Sequence, residues 1–221
     1  MELSRLSNPP GQLVADTSAI INLIATECPA EILRALPVRV VMTDIAVEEI
    51  EDGRKKGRGD ADVLAKLKKD GLIEIRGLGN TAENLFEQLV VGAAESTLDD
   101  GEAATIAFAI ENSLSVVIDD YKARRICRER FSCLPVQCSV EIFRHTAVQE
   151  TLGGKQLELS VLNALRTARM CVPPEHIEWV VSLIGDMNAS SCPSLPFKYR
   201  EAAATRSKLA TKTRTGSQGS R

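Results

Sequence analysis

The sequence predicts an α/β fold with a parallel central sheet of about five strands and helices on both faces. Short apolar segments rich in valine and isoleucine alternate along the chain with longer amphipathic segments. The short segments have the length and β-branched composition of buried strands, and the longer ones have the spacing of helices. Strands that alternate with helices usually pair in parallel, with the helices covering both faces of the sheet.

The strands are predicted from five apolar runs, which are QLVA, VRVVM, LIEIR, SLSVVI and LPVQCS in chain order. We place them near residues 12–16, 38–42, 72–76, 114–119 and 134–139. The segments between them predict helices near residues 18–25, 29–35, 44–52, 60–69, 81–93, 100–112, 121–130 and 139–147. Two further helices are expected after Gly153-Gly154, near residues 156–169 and 173–185. The second begins at Pro173-Pro174, which suits a first helical turn.

Length and composition predict one main domain with distinct ends. The chain has 221 residues and is 44% hydrophobic, enough to bury a full core. Residues 188–221 contain seven basic residues and one acid, which gives this segment a charge of +6. The remainder of the chain therefore has a charge of −9, since the net charge is −3. Such a polar segment is expected to be disordered. We assign a flexible N-terminus to residues 1–11, the α/β domain to 12–148, a helical extension to 149–187 and a disordered basic tail to 188–221.

Neither a membrane segment nor a cysteine framework is indicated. The N-terminus has no apolar core, and no apolar run approaches the roughly 18 residues of a spanning helix, so we expect a cytoplasmic protein without membrane contact. The six cysteines form no C-x-x-C pair and only two histidines accompany them, which favours buried free thiols in a reducing compartment over zinc binding. The cysteines are Cys28, Cys127, Cys133, Cys138, Cys171 and Cys192.

Four acidic clusters occur where strands end or helices begin. They are Asp16, Glu48-Glu49, Asp99-Asp100 with Glu102, and Asp119-Asp120. The first and last follow predicted strands, and ligands of parallel α/β sheets bind in the crevice beyond the carboxyl ends of the strands. Carboxylates that converge there repel one another unless they share a cation. The pattern therefore indicates a site for Mg²⁺ or Mn²⁺, the ions usual in phosphodiester chemistry.

Each cluster also has an ordinary structural explanation. Asp99 and Glu102 have the spacing of a capping box, and Asp119-Asp120 could cap the next helix. The Glu48-Glu49 pair could lie on a solvated helix face. Asp16 fits such an explanation least, because a charge between LVA and AIINLI is unfavourable unless it is paired.

Four motifs in this order resemble those of a known family. DTSAIINL, AVEEI, LDDGEAATIAFA and VVIDDYKARR are similar to motifs of the PIN-domain nucleases, in particular the branch with GEA in place of the commoner aspartate. The resemblance covers about residues 12–185, because ALRTARMCVPPEHIEWVVSLIG is similar to that branch's C-terminal helices. It implies a PIN-like three-layer sandwich in which the domain at 12–148 is the nuclease.

The resemblance implies an Mg²⁺- or Mn²⁺-dependent endoribonuclease, most often the toxin of a toxin-antitoxin pair. The expected partners are an RNA substrate, a small antitoxin protein and a second copy in a homodimer. One alternative is a non-catalytic PIN-like module that binds RNA or a partner protein. Another is a DNA nuclease or phosphatase, which would use the same carboxylate chemistry.

The resemblance also assigns roles to individual acids. The four catalytic acids are Asp16, Glu49, Glu102 and Asp119, and the metal ligands are Asp16, Glu102, Asp119 and Asp120. Glu49 is preferred to Glu48 because the family's acid directly precedes an apolar residue, here Ile50. Asp119 competes with Asp120, because many relatives carry the last acid one residue later.

Substrate positioning is assigned to Thr17, Ser18 and Arg124. The two hydroxyl residues could hold the first acid or a metal-bound water, and Asn22 is expected to support the loop that carries Asp16. Arg124 matches a recurrent family arginine, and a guanidinium can contact a phosphate through two donors. An exposed basic face shared with Arg128 is the alternative. Two basic segments, RKKGR at residues 54–58 and the tail, could add affinity for RNA, although the tail could equally be solubilising.

Overall fold

A five-stranded parallel sheet forms the centre of the computed structural model, which describes residues 11–54 and 59–216. Its strands are β1 (Gln12–Ala15), β2 (Arg39–Thr43), β3 (Ile73–Arg76), β4 (Ser115–Val117) and β5 (Val136–Gln137). The spatial order is β3-β2-β1-β4-β5, and every neighbouring pair is parallel. The predicted α/β class and all five predicted strands are confirmed.

Eight helices connect and cover the strands, at the positions that the sequence predicts. They are α1 (Thr17–Ala25), α2 (Pro29–Ala35), α3 (Asp44–Arg54), α4 (Asp60–Lys69), α5 (Asn80–Val90), α6 (Asp100–Glu111), α7 (Tyr121–Arg130) and α8 (Ser139–Phe143). Helix α5 ends three residues before the predicted position. Lys55, Lys56, Gly57 and Arg58 of the RKKGR segment lie outside the described residues.

The sheet separates two hydrophobic cores, which makes the fold a three-layer sandwich. Side chains alternate along a strand, so Leu13 and Ala15 of β1 enter one core while Val14 enters the other. The first core includes residues of α1, α2 and α8, and the second includes residues of α5, α6 and α7. This arrangement is the predicted PIN-like sandwich.

The winding of the chain reverses between β1 and β4. From β1 the chain builds outward to β2 and β3, and it then returns to the other side of β1 to form β4 and β5. Parallel α/β folds open a crevice at such a reversal, beyond the carboxyl ends of the two strands. The sequence elements that follow β1 and β4 therefore meet at this crevice.

The C-terminal extension packs against the first core. It consists of α9 (Thr146–Thr167), a 3₁₀ turn at Pro174–His176, α10 (Ile177–Ser190) and α11 (Phe197–Gly216). Gly153 within α9 has a φ of 68°, so the chain bends there and the later part of α9 is the helix predicted after the glycine pair. The predicted helical turn at Pro173-Pro174 is the 3₁₀ turn that leads into α10.

The predicted disordered tail at 188–221 requires a correction, because α11 occupies most of it. Ala203 and Leu195 are buried in the first core, and Arg206 donates two hydrogen bonds to Asp186 Oδ1, at 2.6 and 2.9 Å. Tyr199 of α11 packs against the same core, so the first turns of this helix are docked. The predicted flexibility at 1–11 falls almost wholly on residues 1–10, which with 217–221 lie outside the described residues.

Within residues 11–54 and 59–216, no helix has the length and apolar character that crossing a membrane requires.

Candidate active site

Asp16 lies at the carboxyl end of β1 and begins helix α1. The Ala19 N–H donates to its Oδ1 over 2.7 Å, and the Ser18 hydroxyl donates to its Oδ2 over 2.8 Å. The residue is only 1% exposed. Burial raises the pKa of Asp16 well above its ordinary value, and the nearby charges of Asp119 and Glu102 raise it further. No Lys or Arg in the described parts of the chain forms an ion pair with it.

Asp119 follows β4 and is also buried, at 3% exposure. Asn22 of α1 donates to its Oδ2 over 2.6 Å, and the Ser139 N–H donates to its Oδ1 over 2.8 Å. The Ser139 hydroxyl donates a second, short hydrogen bond to Oδ2. Burial raises the pKa of Asp119, although these hydrogen bonds and the charge of Arg124 oppose the rise. Two segments distant in sequence thus fix both carboxylate oxygens.

The position of Asn22 corrects one expectation. Its side chain was predicted to support the loop that carries Asp16, but it contacts Asp119 instead. Ser139, the first residue of α8, was not singled out from the sequence. Its only local signal is a serine at the start of a helix, which is common in proteins without a site.

Glu49 of α3 reaches the N-terminus of α6. Its Oε1 accepts a hydrogen bond from the Gly101 N–H at 2.8 Å, and its Oε2 accepts one from the Thr17 hydroxyl at 2.5 Å. A Cβ atom at Gly101 would lie 2.7 Å from Glu49 Cδ, so this approach needs a glycine. Glu48 is exposed, whereas Glu49 is half-buried. The structure therefore places Glu49 on the inner side of α3. The Thr17 hydroxyl binds the carboxylate of Glu49 rather than that of Asp16.

Glu102 lies in the first turn of α6 and is half-buried. Burial raises the pKa of Glu102 to about 7, and the charges of Asp120, Asp99 and Glu49 contribute. Asp99 occupies the N-cap position, but its side chain makes no capping hydrogen bond. The Glu102 carboxylate accepts a hydrogen bond from the Asp99 backbone N–H, and Glu102 also lines a cleft together with Asp119 and Asp120.

The cleft has a volume of about 790 Å³ and opens where the winding of the chain reverses. Glu102, Asp119 and Asp120 line one side, and residues 167–171 at the end of α9 line another. Asp120 is exposed, and its carboxylate caps α7 by accepting a hydrogen bond from the Ala123 N–H at 2.8 Å. Asp119 is buried, but both residues line the cleft. The cleft thus gathers Glu102, Asp119 and Asp120. Asp16 and Glu49 do not line it, although the charges of Asp119 and Glu102 act on Asp16 and the charge of Glu49 acts on Glu102.

A comparison with protein-family models decides the family. A model described as a PIN domain matches residues 12–186. This chain belongs to the PIN-domain family. PIN domains are generally nucleases, so the family indicates a nuclease-type activity for the acidic cleft. A search of curated proteins found no match.

The matched region includes the sheet, α9, the 3₁₀ turn and most of α10. The end of α9 supplies one wall of the acidic cleft. The helical extension is therefore part of the PIN domain in this chain, and α11 follows after the match ends.

Arg124 does not occupy the position expected for a substrate-positioning residue. Its Nη2 lies 3.3 Å from Glu175 Oε1 in the C-terminal extension, and its side chain is 18% exposed. Its Nη1 is buried without a hydrogen-bond partner, and the residue is not among those that line the cleft. The charge of Arg124 lowers the pKa of Asp119. Arg124 thus connects the PIN core to the extension and acts on Asp119 electrostatically.

A second polar group lies beside the cleft of this PIN domain. Single ligand atoms of Cys138, Glu141 and His176 lie within 4.8 Å of one another, a spacing that could hold a metal ion. However, Glu141 Oε2 accepts a hydrogen bond from the Cys138 N–H at 2.9 Å, and Arg144 Nη1 lies 3.0 Å from His176 Nδ1. The guanidinium uses the lone pair of that ring nitrogen and brings a positive charge. These contacts fit a polar network that ties α8 to the 3₁₀ turn.

Four of the six cysteines are buried, and Cys133 and Cys171 are exposed. All six are free, but the expectation that they are buried is wrong for Cys133 and Cys171. Burial raises the pKa of the Cys127 and Cys138 thiols to about 12, so neither is a ready nucleophile.

Proposed function

We propose that this PIN-domain protein is a divalent-metal-dependent endoribonuclease that hydrolyses RNA phosphodiester bonds. The observation that carries the proposal is the gathering of Asp16, Glu102 and Asp119 at the reversal point of the sheet. Burial raises the pKa of all three, and neighbouring carboxylates raise the pKa of Asp16 and Glu102 further. Strongly perturbed carboxylates in a cleft are typical of functional sites rather than of structural ion pairs.

The donor set fits Mg²⁺ or Mn²⁺. All candidate ligands are carboxylate oxygens, which hard divalent cations prefer, and one to three carboxylates with water are a usual shell. Asp16, Glu102 and Asp119 would hold the ion, with Asp120 at the rim of the cleft. A bound divalent cation supplies positive charge that offsets the negative charge developing on the phosphoryl oxygens.

The remaining residues orient this shell. Asn22 and Ser139 hold the carboxylate of Asp119 through both oxygens, and Ser18 holds Asp16. Glu49 is fixed by a hydroxyl and a backbone N–H, and its charge raises the pKa of Glu102. We assign Glu49 to completing the shell or to accepting a proton from the attacking water. The thiols are not required, because water is the nucleophile.

The toxin role and the partners are supported by the resemblance of the motifs to toxin-type PIN nucleases. On that basis we propose a small antitoxin protein and a second copy of the chain as partners in the cytoplasm. A small protein that copurifies with the chain and inhibits its cleavage of RNA would support the antitoxin.

The test is cleavage of end-labelled RNA and of single-stranded DNA of the same sequence, with Mn²⁺ or Mg²⁺ and with EDTA. We expect metal-dependent cleavage of RNA that Asp119→Asn abolishes. Glu48→Gln serves as the matched control for Glu49→Gln, because the two residues are adjacent but only Glu49 contacts Thr17 and Gly101. The control should cleave normally and Glu49→Gln should not.

Other outcomes would change the proposal. Equal cleavage by Asp119→Asn, or cleavage in EDTA, would contradict the assigned site. Cleavage of DNA alone would replace the substrate class. RNA binding without cleavage at any metal concentration would favour the non-catalytic module.

A further inference from the structure

Among the residues that line the cleft, the exposed side chains of Arg169 and Tyr121 have no role in the proposed chemistry. We propose that they hold the nucleic-acid strand across the carboxylates, Arg169 through a backbone phosphate and Tyr121 by stacking on a base. This inference rests on the proposed nuclease function and names the residues that position its substrate.

Arg169 is presented to the cleft by an unusual backbone conformation. It follows the end of α9 with a φ of 57°, in the left-handed region that favours glycine. Its neighbour Met170 is buried, and the Met170 N–H donates to the Ala164 carbonyl over 3.1 Å, so the turn is anchored on the core. Arg169 itself is exposed and lines the cleft. A rigid turn thus directs a long cationic side chain toward the site.

The charge of Arg169 is available for a ligand. Within residues 11–54 and 59–216 it forms no ion pair, whereas Arg124 is paired with Glu175 and Arg206 with Asp186. Among the described residues that line the cleft, Arg169 is the only one with a positive charge. The same lining carries four carboxylates, those of Asp60, Glu102, Asp119 and Asp120. A positively charged side chain at the cleft would offset part of the repulsion between these carboxylates and an entering phosphate backbone.

Glycine would adopt the backbone of residue 169 at lower conformational cost than arginine. An arginine at this position is therefore not required by the backbone, and it places a cation at the cleft. Its guanidinium can donate two hydrogen bonds to one phosphate, which makes it suitable for fixing a strand.

Tyr121 supplies the apolar half of the contact. It is the first residue of α7, directly after the Asp120 cap, and its side chain is 66% exposed. Aromatic residues make up only 4% of the chain, and this exposed ring lines the same cleft as Arg169. Unpaired bases stack on such rings with little dependence on sequence. A phosphate contact and a stacked base would together place a single strand over Asp119.

The experiment is steady-state cleavage of a labelled single-stranded RNA in Mn²⁺ over a series of KCl concentrations. We expect Arg169→Gly to raise KM about tenfold, the loss typical of a charged hydrogen bond, while kcat changes by less than about twofold. The slope of log KM against log salt should fall by about 0.7, the value for one phosphate contact with a single strand. Arg169→Lys should keep that slope, because it keeps the charge.

Tyr121→Ala should also raise KM about tenfold, but it should leave the salt slope unchanged because stacking involves no phosphate charge. Two control variants separate positioning from general effects. Glu27→Gly makes the same backbone change at another non-glycine residue of positive φ, which is 65°. Arg39→Ala removes an exposed charge at the start of β2, at the ends of the strands away from the cleft. Neither should change KM.

Folding is checked by thermal unfolding. Arg169→Gly should unfold at the same temperature as the wild type or higher, because glycine suits the backbone of residue 169. An unchanged KM in Arg169→Gly and Tyr121→Ala, with an active wild type, would overturn the inference and leave the nuclease function intact. If the wild type does not cleave, the nuclease function fails, and fluorescence anisotropy with the same RNA still decides the inference. Equal dissociation constants for wild type and variants would then overturn it.

Discussion

The metal-free protein should lose stability as the pH rises, because its carboxylates ionise less readily when folded. Glu102 has a pKa of about 7 in the fold against an ordinary value of 4.5. The folded state therefore binds the proton more tightly than the unfolded state between these values. The resulting penalty on folding is absent below about pH 4.5, grows as the pH rises and is complete above about pH 7.

The magnitude follows from that difference in pKa. The complete penalty from Glu102 is about 3 kcal/mol, of which about 2 kcal/mol develops between about pH 5.5 and about pH 8. Asp16 and Asp119 add to it in the same direction, because the pKa values of both are raised. A bound cation would remove the penalty by neutralising the cluster.

The assay is urea unfolding in EDTA at the two pH values, with Mn²⁺ added in a parallel series. The free energy of unfolding of the wild type should fall by at least about 2 kcal/mol from the lower pH to the higher. Glu102→Gln should lose less, because glutamine does not titrate, and Mn²⁺ should restore stability to the wild type at the higher pH. The reasoning is refuted if stability in EDTA is independent of pH, or if Glu102→Gln loses as much as the wild type.

Two substitutions around the site give further predictions. Gly101→Ala should displace the Glu49 carboxylate and lower cleavage at least about tenfold with little change in stability. The control Gly154→Ala, where an added Cβ meets nothing within 4 Å, should cleave normally. Normal cleavage by Gly101→Ala would contradict the role of the contact between Gly101 and Glu49. Asn22→Ala should lower the free energy of unfolding by about 1.5 to 3 kcal/mol, as measured by urea unfolding at low pH and near neutrality, because it removes a buried hydrogen bond to Asp119. A loss below about 0.5 kcal/mol would mean that the bond contributes little.

The strands and the first eight helices were predictable because their signals are local. Each strand is a short β-branched run between turn residues, and alternation with helices determines a parallel sheet. Helix α11 was missed because its polar composition resembles that of a disordered segment, and few of its residues, such as Tyr199 and Ala203, pack against the core.

The acids were found because they directly follow strands or begin helices, where the fold must bring them to one edge. Their partners were not found. Ser139 contacts Asp119 across 20 residues, and Glu175 pairs with Arg124 across 51, so neither contact leaves a pattern in the local sequence. The left-handed conformation of Arg169 was not predictable from the sequence either, because positive φ is typical of glycine and not of arginine.

The most direct test of the central claim is calorimetric titration of Mn²⁺ into the purified protein near neutral pH, with Asp16→Asn in parallel. The claim is that the buried carboxylates form one divalent-metal site. We expect saturable binding by the wild type, with release of protons as the carboxylates ionise, and a loss of at least about tenfold in affinity in Asp16→Asn. Equal binding by both proteins, or no binding by the wild type, would contradict it.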